Sequence, residues 1–156
     1  MKRINLLYGF LVIVNILLAS VLVVILILLV IPDFLYQKTY PNETFGIFKH
    51  FVVFLRGTLL LFGLFKIQQG LISIIKHGFY NTISESKFKR GGFFLILVGV
   101  TSIAFNIILK GEFQATVLIT NFVQSFFVIL VGLGLYVLAD FIKSGGKLKE
   151  ENDLTI

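Results

Sequence analysis

The sequence predicts an all-α integral membrane protein: a four-transmembrane-helix bundle with both termini on the cytoplasmic side. Three observations carry that reading. Of 156 residues, 57% are apolar and 14% charged, and the mean hydropathy is +0.97. Soluble domains lie near ~45–50% apolar and ~25% charged. Four apolar runs, at about 6–31, 50–67, 91–109 and 115–139, punctuate the chain. Each is close to the ~20 residues that cross ~30 Å of hydrocarbon. Finally, the basic residues fall mainly between alternate runs. The length suits one membrane domain, 1–156, with a polar tail over 143–156.

The first run follows Lys2 and Arg3, as a signal peptide would. Its apolar stretch is too long for a signal peptide, and no small-x-small cleavage site follows it. An uncleaved span is therefore expected. Asn15 is its one strongly polar residue, expected to bond to a neighbouring helix. Pro32 and Asp33 end the helix, and residues 32–49 read as an external loop. Asn42-Glu43-Thr44 there fits a glycosylation acceptor, which matters only in a eukaryotic secretory setting.

The second run contains Arg56, six residues inside its start at His50 and so roughly 9 Å deep. A charge at the bilayer centre costs ~2.5 kcal/mol or more. Helix is expected to continue past Lys66 until Gly78 and Asn81 stop it. Residues 76–90 then read as an internal basic loop, with Lys76, Lys87, Lys89 and Arg90 against Glu85. The third run leads through Lys110-Gly111-Glu112 into the fourth, which closes at Asp140. Lys143-Ser144-Gly145-Gly146 is expected to break that helix.

Orientation follows from the basic residues. Ten lie in segments predicted to be cytoplasmic, against three outside (Lys38, Lys49 and Lys110). This bias accounts for the net charge of +6 without invoking nucleic acid. No basic run interleaves with aromatics, so no direct nucleic-acid contact is expected.

No catalytic constellation is visible. The chain lacks cysteine. Its two histidines, His50 and His77, fall on opposite sides of the predicted membrane and cannot share a metal. There is no H-E-x-x-H, no phosphate-binding loop and no acidic pair within a span. The expectation is a non-enzyme without cofactor or metal. The glycines at 57, 63, 99, 132 and 134 form no G-x-x-x-G pattern and read as ordinary packing.

Two polar groupings remain. Arg56 and Thr58 on the second span, Asn106 on the third, and Thr120, Asn121, Gln124 and Ser125 on the fourth are expected at similar depth. They form either a polar pocket around Arg56 or a hydrogen-bond network that solvates it. The other grouping is the tail, Gly145 to Ile156. Lys147 to Asn152 suits one or two helical turns. Leu154 and Ile156, at alternate positions beside a terminal carboxylate, suit addition to a partner's sheet edge or capture of that carboxylate.

The stretch from Tyr136 to Ile156 resembles the ending of a bacterial membrane family known only as domain of unknown function 2975. Gly145, Leu148, Glu151, Asn152, Asp153, Leu154, Thr155 and Ile156 match that family's Gly-x-x-Leu-x-x-Glu-Asn-Asp-Leu-Thr-Ile tail. The resemblance implies a small multi-pass protein of the bacterial cell inner membrane with about four spans. It also implies a partner, since genes of the family commonly stand beside one for a helix-turn-helix regulator of the Cro/CI type. The leading expectation is thus a regulatory anchor or sensor, with the tail holding a cytoplasmic regulator. The alternative is a small transport, stress-response or immunity protein working through Arg56, Asn106, Asn121 and Gln124. A third reading is a structural subunit or homo-oligomer joined through its outer helix faces.

Overall fold

The computed structural model describes residues 2–31, 43–108 and 115–154. These form four helices: α1 Lys2–Val30, α2 Glu43–His77, α3 Thr82–Ile108 and α4 Ala115–Asp153. Most of the external loop with Asn42, the Lys110-Gly111-Glu112 hairpin, and Thr155 and Ile156 lie outside the described residues.

All four helices are long and apolar enough to cross a membrane. Their outward faces are apolar too. Leu6, Phe10, Ile16, Phe62, Phe93, Ile119, Phe127 and Phe141 are among the many large side chains left exposed. In water such a surface would aggregate. In lipid it is the required one, so the chain is a multi-pass membrane protein.

The helices pack mainly in chain order, α1 on α2, α2 on α3 and α3 on α4, with α3–α4 the most intimate pair. A core at one end joins all four: Leu11 from α1, Leu71 and Ile74 from α2, Phe88 from α3, Ala139 and Ile142 from α4. The start of α1, the α2–α3 turn and the last third of α4 therefore share one end. Lys76, Lys87, Lys89, Arg90, Lys143 and Lys147 make it the basic end.

The glycines set the register. A Cβ on Gly92 would stand 2.6 Å from the Gly132 carbonyl oxygen, and one on Gly99 would stand 2.7 Å from that of Ser125. Seven residues along α3 thus match seven in reverse along α4. On α4 the small residues Ser125, Gly132, Ala139 and Gly146 recur every seven positions. This is the period of left-handed helix packing, with small residues letting backbones approach. The expected "ordinary packing" is thus an extended seam, missed because glycines were sought at a spacing of four. Gly63 and Gly91 meet similarly between α2 and α3, where a Cβ on Gly91 would lie 3.2 Å from the Gly63 oxygen.

Two expected boundaries are corrected. Residues 82–90 are not loop but the first turns of α3; among residues 76–90 only 78–81 are non-helical. Ser84, Phe88 and Gly91 recur at helical spacing and are buried, which carries helix through this polar stretch. Nor does Gly145-Gly146 break α4, which continues through Asp153. Gly145 lies against the Tyr80 ring, leaving no space for a side chain. That contact holds the backbone helical where glycine alone would favour fraying by about 1 kcal/mol.

Candidate functional site

The two predicted cytoplasmic segments meet. Their junction is built on a four-residue turn with a defined hydrogen-bond scheme. Gly78 has φ +85°, and its N–H donates to the Ile74 carbonyl at 2.9 Å, closing α2 in a left-handed cap. Asn81 then opens α3: its Oδ1 accepts from the Ser84 N–H at 2.7 Å, three residues on, as an N-cap does. The same oxygen accepts from the Ser73 hydroxyl at 2.8 Å, and Asn81 Nδ2 donates to the Gly78 carbonyl at 2.6 Å. One asparagine therefore ties the end of α2, the turn and the start of α3 together. Beneath it the Phe88 ring is fully buried, seated over Gly70.

Against this turn lies the extension of α4. Tyr80 rests on Gly145, and Lys89 bridges Glu85 and Asp140 at 3.2 Å each. Between turn and extension is a groove of about 410 Å³, lined by Tyr80, Glu85, Lys143, Lys147, Glu150 and Asp153 among others. Its mixed charge suits recognition of polar or charged groups.

The tail residues divide between two faces. Gly146, Lys149, Glu150 and Asp153 line the groove. Leu148, Glu151 and Asn152, at i, i+3 and i+4, share a different, exposed face. Leu148 is 61% and Leu154 88% exposed, apolar side chains among charges. Asp153 is thus set apart from Leu148, Glu151 and Asn152. Gly145 serves as Tyr80's seat. An extended or free ending is expected over residues 153–156; Asp153 is still helical and Leu154 a turn, while Thr155 and Ile156 lie outside the described residues.

The residues expected around Arg56 are brought to one level only in part. From the Gly63–Gly91 contact, Arg56 lies level with Val98, and Asn106 is eight residues further toward the opposite end, roughly 12 Å away in depth. Asn106 is buried, and its Nδ2 has no partner. Asn121 is half-buried, while Ser125 is buried and donates to the Asn121 carbonyl at 2.7 Å. Gln124 and Thr120 are on the exposed side of α4. Thr58 donates to Phe54 within its own helix at 2.9 Å. No hydrogen bond joins any two of Arg56, Asn106, Asn121 and Gln124 among the described residues, and Arg56 has no ion-pair partner there. Depth was inferred from the ends of apolar runs, but the glycine contacts set it. The same register places Arg56 ten residues, about 15 Å, inside the level where α3 ends, deeper than the run suggested.

A polar pair was only half foreseen. Asn15 Nδ2 donates to Gln68 Oε1 at 2.6 Å, the interhelical bond expected of Asn15. Gln68 and Gln69 beyond the second apolar run gave no signal of their own. Asn15 Oδ1 and Gln69 Oε1 are buried without partners.

Comparison with protein-family models, curated proteins and solved structures finds no match to this chain.

Proposed function

We propose that this chain is a regulatory anchor or sensor in a bacterial inner membrane, with both termini cytoplasmic. In this reading the α4 extension holds a cytoplasmic helix-turn-helix transcription regulator. One observation carries it: α4 leaves the apolar bundle as a continuous helix and displays Leu148, Glu151 and Asn152 on an exposed face. An exposed leucine on a charged helix anchored at its base by Tyr80 is a pre-ordered recognition element. It suits helix-in-groove binding rather than strand addition. The ten-to-three bias of basic residues supports the cytoplasmic placement. The class of partner comes from the tail's resemblance alone.

Deleting residues 151–156 is expected to release the regulator to the cytosol while the truncated chain still fractionates with membranes. Fractionation with immunodetection of both proteins reads this out. A regulator that remains membrane-bound after the deletion contradicts the proposal.

A second reading is favoured by Arg56, which is half-buried, deep and without a protein partner among the described residues. Intramembrane charges commonly mark a working site. A transport or stress-response role through Arg56 predicts that Arg56→Leu inserts normally yet abolishes activity. The anchoring role predicts that Arg56→Leu inserts normally and still retains the regulator. Topology mapping and partner retention in that one variant separate the two.

A further inference from the structure

We propose that the groove lined by Lys66, Lys89, Arg90, Phe93, Phe94 and Tyr136 binds the phosphate of an anionic phospholipid headgroup. The groove measures about 430 Å³ and draws on three helices: Lys66 from α2, four residues from α3, and Tyr136 from α4.

Its three cations are not equivalent. Lys89 is already matched by Glu85 and Asp140, each at 3.2 Å. Lys66 and Arg90 have no acidic partner among the described residues. Two uncompensated positive charges sharing one groove repel each other until an anion enters. Arg90 supplies a planar donor fork that matches phosphate oxygens, and Lys66 a mobile point charge.

The other walls say what the phosphate is attached to. Phe93 and Phe94 lie 6.0 Å apart, and Phe94 continues to Phe62, also at 6.0 Å. Phe93 and Phe62 are each 51% exposed on the outer, apolar surface. The groove therefore runs from a cationic mouth at the basic end onto an aromatic face within the hydrocarbon level. A phospholipid has that polarity: phosphate at the mouth, acyl chain along the rings. Basic pockets between membrane helices take anionic headgroups in this manner. A soluble phosphate ester shares the headgroup chemistry but makes no use of the aromatic face.

This inference rests on insertion in a bilayer and is independent of whether the tail binds a regulator. The full chain is reconstituted in phosphatidylcholine vesicles doped with phosphatidylglycerol, extracted gently, and its retained lipids counted by native mass spectrometry. Selective retention of phosphatidylglycerol is expected. Lys66→Gln and Arg90→Gln should each lower it roughly fivefold, and more together. Lys87→Gln, outside the groove, should leave it unchanged. Equal losses in all three variants would mean diffuse surface charge and overturn the site. Displacement of the lipid by millimolar glycerol phosphate would overturn the lipid assignment in favour of a soluble ester. The variants are compared by circular dichroism, and the ratio of the two lipids is read only on the helical fraction.

Discussion

Gly92→Leu is expected to force α3 and α4 apart and to lower stability in detergent more than any other substitution considered. The reason is geometric. At Gly92 a single Cβ would already stand 2.6 Å from a backbone oxygen of α4 and 3.1 Å from the Tyr136 ring. Backbone cannot rotate aside as a side chain does, so the helices must separate. Separation also loosens the contacts at Gly99 and Gly132 on the same seam. Overpacking of a core typically costs ~1–3 kcal/mol, and a clash with backbone falls at the upper end. Gly134→Leu is the matched control: nothing lies within 4 Å of a Cβ there, and the position is exposed. Its stability should be unchanged or slightly raised, since glycine is the poorer helix former by ~1 kcal/mol. Denaturant titration followed by circular dichroism compares the two. Equal losses at both positions would mean that the seam does not hold the pair together.

Asn81→Ala should have the second largest effect. The substitution removes an N-cap, worth ~0.5–2 kcal/mol. It also strips the buried Ser73 hydroxyl of its acceptor, at a further ~1–3 kcal/mol. Asn81→Asp keeps an oxygen that accepts from Ser84 and Ser73, but puts a second oxygen where Nδ2 donates to the Gly78 and Ser73 carbonyls at 2.6 and 3.5 Å, so it should retain only part of the stability. Hydrogen exchange locates the damage: backbone amides of residues 78–86 should lose protection in Asn81→Ala, while those near Gly99 should not. Because the turn carries Tyr80, its loosening is expected to reach the α4 extension, where amides of 143–150 should also exchange faster. Protection unchanged at the extension would separate the turn from the tail.

The legible and illegible parts of this fold differ for physical reasons. Four helices follow from run length, because hydrocarbon tolerates no unpaired backbone and demands long apolar segments. The end of α2 was legible because Gly78 takes a left-handed conformation that other residues avoid. The continuation of α4 was not legible, because its cause, the Tyr80 ring on Gly145, is a contact across sixty-five residues of chain. The polar cluster was legible only in part. Asn121 and Ser125, four apart, share one face of α4, but which side of α4 faces α3 depends on the seam, and that leaves Gln124 outside. The relative depth of Arg56 and Asn106 also depends on glycine contacts invisible to hydropathy.

The helical turns expected over Lys147 to Asn152 are present, but as a continuation of α4 without the break expected at Gly145-Gly146. That changes what it can bind. A helix displaying Leu148 and exposing Asn152 is suited to a groove on a folded partner. Its other face is turned toward the groove beside Tyr80, so the two faces can be altered separately. Leu148→Glu touches only the exposed face and should weaken partner binding as the truncation does.

Co-purification from mild detergent tests the central claim most directly, comparing the full chain with one stopped after Glu150 and with the Leu148→Glu variant. Bound proteins are identified by mass spectrometry. A helix-turn-helix protein recovered with the full chain and lost from both altered chains is the result predicted here. The same proteins recovered from all three, or no DNA-binding protein from any, would contradict the anchoring role and leave Arg56 as the feature to pursue.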